Sequence, residues 1–157
     1  MNLKELDSYF RTFLAIDDLA GTDFSLNGVQ VENTADITCI AFAVDACMET
    51  FRRAREAGAQ MVFVHHGLFW GHDQCITGSH YRRLKFLMEN NMALYAAHLP
   101  LDIHPDIGNN VSLAKAAGLE DLKPFGDSVS LSIFQVIPSG SLGSANLTGV
   151  QCMLYAT

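Results

Sequence analysis

After Asp127 the chain contains no Asp, Glu, Lys, Arg or His, so any acid–base or metal-ligating chemistry must come from the first 127 residues. No apolar run approaches the ~20 residues that a membrane-spanning helix needs, and no spanning segment is expected. The four cysteines, Cys39, Cys47, Cys75 and Cys152, show no C-x-x-C spacing, which excludes the redox and zinc motifs built on it. Cys39 and Cys47 sit in apolar periodic segments, where free cysteine behaves as a small hydrophobe. Positive charge is scarce, with 10 Lys and Arg against 17 Asp and Glu and a net charge of −7. That balance argues against a nucleic-acid backbone or an anionic membrane as the main partner. The basic clusters Arg52-Arg53-Arg55 and Arg82-Arg83-Lys85 are read as solvated helix faces, because charged side chains are seldom buried unpaired. Neither a P-loop nor a Rossmann glycine fingerprint occurs. Met1-Asn2-Leu3-Lys4-Glu5 opens an amphipathic helix rather than a signal peptide, and a reducing, cytoplasmic setting is expected.

What remains is a chain of 157 residues, 49% hydrophobic, enough for one domain with a substantial core. Leu3, Leu6, Phe10, Phe13 and Leu14 give residues 3–14 a helical period. A loop with turn signals at Gly21 and Asn27-Gly28 follows. Residues 37–44 read as a buried strand, with Asp45 as the N-cap of a helix over 46–57 that Gly58 closes. Residues 60–64 form a second strand. A helix over 81–89 turns Tyr81, Leu84, Leu87 and Met88 inward, a third strand covers 92–97, and a short helix spans about 110–117. Strands alternating with helices across short turns predict an α/β fold, a mostly parallel sheet with flanking helices. The expected organisation is an α/β metal-site domain over residues 1–126 and, over 127–157, a connector or the start of a second segment. In that uncharged tail, 129–137 and 150–155 can be strands joined by the Gly/Ser stretch 139–144; a docked edge strand is the alternative to the start of a longer segment.

All six histidines lie between positions 65 and 104. Met61-Val62-Phe63-Val64 runs into His65-His66, and Met92-Ala93-Leu94-Tyr95-Ala96-Ala97 runs into His98, with Asp102 beyond it. Open α/β sheets bind ligands beyond the carboxyl ends of their strands, and neutral imidazole is the commonest metal ligand at physiological pH. A metal site is therefore the leading expectation. Adjacent residues of an extended strand project to opposite sides, so His65 and His66 suit two neighbouring ions better than one, with Asp102 able to bridge them. Such pairs of ions lie ~3.5–4 Å apart in hydrolytic sites. His98 is read as a group that orients Asp102 or substrate, or shuttles a proton, with direct ligation and a core role as alternatives. His72, His80 and His104 take structural readings, the first two in a polar loop; Asp106 is not assigned to the site, and Asp45, at a strand's carboxyl end, can line the crevice, though capping suffices to explain it. These residues amount to about half of a two-ion ligand set, and the metal, whether zinc, iron, manganese or nickel, is not selected by them.

Four motifs carry a family resemblance: Asn27-Gly28-Val29-Gln30-Val31-Glu32, Val44-Asp45-Ala46, Val64-His65-His66-Gly67-Leu68-Phe69-Trp70, and Ala97-His98-Leu99-Pro100-Leu101-Asp102 with Gly108-Asn109-Asn110. Over residues 1–126 the chain resembles the GTP cyclohydrolase I type 2 homologues, or Nif-three-like proteins. The resemblance implies that His65, His66 and Asp102 are ligands of a dinuclear centre. It also implies toroidal homohexamers and a metal-dependent hydrolase acting on a purine nucleotide or related heterocycle. Family members supply a further His and Glu in an H-x-x-x-E pattern, whereas no His or Glu follows Glu120 here. The expectation is thus a truncated member, with a non-catalytic metal-binding assembly or regulatory protein, or an inactive fragment, as the alternatives.

Overall fold

A computed structural model of the chain describes residues 1–125 and 133–135. They fall into two compact units, Met1–His98 and the residues from Leu99 onward. The first unit holds α1 (Leu3–Phe13), a 3-10 turn (Ile16–Leu19), β1 (Gly28–Val31), β2 (Ile40–Asp45), α2 (Met48–Glu56), β3 (Met61–His66), α3 (Gly78–Glu89) and β4 (Ala93–Ala96). The second holds α4 (Leu99–Asp102), α5 (Asn109–Ala116) and the antiparallel pair β5 (Lys123–Phe125) and β6 (Ile133–Gln135). Strand β6 falls inside the expected strand over 129–137. The expected connector 139–144 and strand 150–155 lie outside the described residues.

The sheet of the first unit runs β1-β4-β3-β2, with β2, β3 and β4 parallel and β1 antiparallel to β4. Central β3 is covered on both faces, which is why its sequence is a continuous apolar run rather than an alternating one. Val62 and Val64 join Leu94 and Ala96 in one cluster with Phe51 and Ala54 of α2 and Leu84 and Leu87 of α3. On the other face Phe63 stacks on Tyr95, with ring centroids 5.3 Å apart, and Phe10 of α1 packs edge-on against Phe63 at 5.1 Å. Each fully buried side chain of this size contributes about 1.5–3 kcal/mol. Helix α1 is held at its start by a reciprocal capping box, Asn2 Oδ1 accepting from Glu5 N at 3.0 Å and Glu5 Oε2 from Asn2 N at 2.9 Å.

Several boundaries differ from expectation for local reasons. Strand β2 begins only at Ile40, because the Gln60 side-chain oxygen accepts from Thr38 N and Cys39 N at 2.9 and 3.0 Å in place of a ladder partner. Strand β3 extends to include both histidines, since Asp45 pairs with His66 in register. Helix α3 starts three residues early, at Gly78, and its inward line is His80, Leu84 and Leu87, an i, i+4, i+7 set. Tyr81 and Met88, expected to point inward, are exposed. His80 is thus not a loop residue: its ring meets Phe69 edge-on at 5.2 Å, and burial, with Arg83 nearby, lowers its pKa. The loop reading of residues 15–36 missed β1. That strand has only four residues, and its first, Gly28, takes φ +105°, a conformation that L side chains rarely adopt. Among the described residues no helix is long and apolar enough to cross a membrane.

Candidate metal centre

The parallel strands place Asp45, His66 and the residue pair Ala97-His98 along one rim, at the carboxyl ends of β2, β3 and β4. Because β1 runs antiparallel, its entry loop reaches the same rim: Gly28, the first residue of β1, pairs with Ala96, the last of β4. Four chain segments therefore meet where the sheet ends.

Three imidazoles converge there. The ring centroids of His65 and His66 lie 4.6 Å apart, those of His65 and His98 4.9 Å, and those of His66 and His98 5.7 Å. One ring nitrogen from each lies within 4.8 Å of the others. Neighbouring residues on a strand are expected to face apart, yet the rings of His65 and His66 stand close together. Two nitrogens bound to one ion at ~2.1 Å can be no more than about 4.2 Å apart. With all three nitrogens inside 4.8 Å, these residues would hold one ion or two neighbouring ones.

Each ring has its Nδ1 tied to an acceptor. His65 Nδ1 donates to the Ala97 carbonyl at 3.1 Å, His66 Nδ1 to Asp45 Oδ1 at 2.8 Å, and His98 Nδ1 to Asp23 Oδ1 at 2.9 Å. A carbonyl or ionised carboxylate only accepts, so the proton of each neutral ring sits on Nδ1 and the lone pair is on Nε2. This outer arrangement, N–H to carboxylate or carbonyl, is the one that orients metal-binding histidines. The donor set therefore fits a divalent transition ion.

Asp45 corrects the expected capping role. The N-cap of α2 is Cys47, whose Sγ accepts from Thr50 N at 3.5 Å, and Asp45 turns its carboxylate to His66 instead. Cys47 is correspondingly exposed rather than a core residue, and its bonds with Thr50 lower the thiol pKa. Arg52, Arg53 and Arg55 are exposed along α2. Arg83 is part-buried and donates to the Ala46 carbonyl at 3.1 Å, joining α3 to the segment between β2 and α2.

The loop after β3 is held by Gln30 of β1. Gln30 Oε1 accepts from Leu68 N at 2.6 Å and Phe69 N at 3.3 Å, while its Nε2 donates to the Leu26 carbonyl at 2.8 Å. Gly67 leaves the room for this contact: a Cβ there would run into the Gln30 amide. Trp70 donates to the Gly67 carbonyl at 3.1 Å and stands 5.1 Å from His98 and 6.1 Å from His66, ring to ring.

Of the expected site residues, His65, His66 and His98 are brought together in the first unit. Asp102 lies in the second unit at the end of α4, where Asn109 Nδ2 donates to its Oδ1 at 2.9 Å. His72 is exposed and bonded to the Trp70 carbonyl at 3.0 Å. His104 is buried in the second unit, its Nδ1 facing the backbone N–H groups of Asp106 and Ile107. Sequence reasoning did not find Asp23, Asn27 or the role of Gln30. The Asn27-Gly28-Val29-Gln30 motif was a usable signal for the last two, whereas nothing distinguishes Asp23 from other loop acids.

The chain is 51% identical over 127 residues to a GTP cyclohydrolase 1 type 2 homolog of Treponema pallidum, covering 80% of this chain and 44% of that protein. It is 44% identical over 133 residues to the one from Pyrococcus abyssi, covering 85% and 52%. Among solved structures it is similar to TTHA1606 of Thermus thermophilus, with a TM-score of 0.77 and 46% identity over 82% of this chain and 52% of that one. Reduced HcgD from Methanocaldococcus jannaschii gives a TM-score of 0.71 at 34% identity, over 85% and 54%. The chain spans about half the length of the curated relatives it matches. A family model described as Duf34/NIF3 (NGG1p interacting factor 3) matches residues 1–154, and with these relatives it places the chain in the Duf34/NIF3 family, among the GTP cyclohydrolase 1 type 2 homologues.

Proposed function

We propose that this chain provides the amino-terminal part of the metal site of a divalent-metal-dependent hydrolase acting on a purine nucleotide or related heterocycle. The observation that carries this reading is the convergence of His65, His66 and His98 within 4.8 Å, each with Nδ1 held by an acceptor. Asp102 joins the ligand set on the strength of its motif, His98-Leu99-Pro100-Leu101-Asp102. Two ions of the zinc, iron, manganese or nickel type suit imidazole with carboxylate, and the further His and Glu of the family pattern would be supplied by a partner chain or by the part of the relatives' length that this chain does not match. Such ions supply Lewis acidity and acidify water when bound. The chain's own residues do the rest: they orient the rings and hold the rim's shape, and Trp70 offers an aromatic face beside His66 and His98 against which a flat heterocycle can stack.

The nucleotide assignment is supported by the relatives' names, and the homohexameric assembly by the family resemblance. Assembly also suits Phe42 and Val44, which are 69% and 56% exposed on edge strand β2 and would leave water on association. A cytoplasmic setting suits the acidic composition and the unbridged Cys39, Cys47 and Cys75. The test is GTP turnover with and without added zinc, manganese or iron, run on this chain and on a full-length relative. Turnover that requires the ion and stops with chelator is the expected result. A metal-loaded full-length relative that leaves GTP intact would remove the GTP-hydrolase reading, leaving a metal-binding assembly protein in its place.

A further inference from the structure

We infer that Asp23 is a positioning residue of the centre, fixing the tautomer and direction of His98, so that the loop between α1 and β1 belongs to the metal site. The inference rests on the metal-site reading above and extends it to a residue outside every recognised motif. The Asp23 side chain is only 3% exposed, and its hydrogen bonds form an ordered set. Oδ1 accepts from His98 Nδ1 at 2.9 Å and from Ser25 N at 2.9 Å, and Oδ2 accepts from Asn27 Nδ2 at 2.8 Å. Asn27 Oδ1 in turn accepts from His98 N at 2.8 Å. Ring and backbone of His98 are therefore gripped by one loop, which β1 delivers to the rim.

The consequence is chemical. A buried carboxylate beside Nδ1 keeps the proton there and leaves Nε2 as the atom that would hold an ion. The pair Asp45–His66 has a similar distance, 2.8 Å, but Asp45 is 64% exposed, where water competes for both groups and weakens the constraint. The two acids should therefore differ in importance. An isosteric amide cannot replace Asp23: its NH2 must face either Ser25 N–H and His98 or the Asn27 NH2. Asn27 cannot rotate to relieve the second conflict without losing its bond to His98 N.

The experiment uses the full chain and its Asp23→Asn and Asp45→Asn variants. Long-range proton–nitrogen NMR of the metal-free protein reads the His98 tautomer, and competition with a chromophoric chelator reads zinc affinity. The expected result is an Nδ1–H tautomer for His98 in the native chain. Asp23→Asn should lose that preference and weaken zinc by about 10–100-fold, and Asp45→Asn should weaken it less. His98 carrying its proton on Nε2 in the native chain, a measurement that needs no variant to fold, would overturn the inference. So would an Asp23→Asn protein with unchanged tautomer and affinity. If the native chain binds no zinc yet the tautomer responds to Asp23→Asn, control of the ring by Asp23 is supported and the metal reading falls.

Discussion

A His65→Ala/His66→Ala/His98→Ala variant should remain folded and lose divalent-ion binding, read as metal content after dialysis against zinc. Zinc held by four protein ligands in small domains is worth about 10–16 kcal/mol, or roughly 3 kcal/mol per ligand, so removing three leaves little. The fold should survive because the principal packing, Val62, Val64, Leu94, Phe51 and Leu87, lies below the rim. A second readout separates binding from folding. An ion present at 100 times its Kd stabilises a folded protein by about 2.7 kcal/mol, so zinc should raise the Tm of the native chain and leave that of the variant unmoved. Asp102→Ala alone should lower affinity without abolishing it, since the three imidazoles remain. Native metal content in the triple variant would reject the site.

Gly67→Ala should destabilise the first unit by about 2–3 kcal/mol, from lost bonds and newly unpaired backbone N–H groups. The added Cβ displaces the Gln30 amide, which holds Leu68 N, Phe69 N and the Leu26 carbonyl. The cost comes less from the clash, because a glutamine end can move, than from what it abandons on moving. A double-mutant cycle tests that cause. In a Gln30→Ala background the same Gly67→Ala change should cost under about 1 kcal/mol, since the contact no longer exists to be lost. Urea unfolding measures all four proteins. Additive effects would mean that Gly67 is required for its backbone rather than for the space it leaves to Gln30.

How far the sequence exposed this arrangement depended on the length of each signal. Strands β3 and β4 were legible because continuous apolar runs ended in histidine, and their parallel pairing followed from the helices between them. Strand β1 was not legible: four residues, Gly28–Val31, are too few for alternation to register. Without β1 the rim roles of Asp23 and Asn27 stay hidden, because their loop reaches the rim through that antiparallel strand. For Asp45 the sequence allows both crevice lining and capping, and the structure turns its carboxylate to His66. A carboxylate before a helix is a cap by default, and only the Asp45–His66 register shows why it turns away. The approach of the His65 and His66 rings, 4.6 Å between centroids, is likewise contained in no spacing rule.

The most direct measurement is the zinc-edge X-ray absorption spectrum of the zinc-loaded full chain. Nitrogen and oxygen neighbours at about 2.0–2.1 Å with the outer-shell pattern of several imidazole rings are expected, and the pattern should vanish in the triple histidine variant. A sulfur neighbour near 2.3 Å, pointing to cysteine, or a hydrated ion with no imidazole signature, would contradict a centre built on His65, His66 and His98.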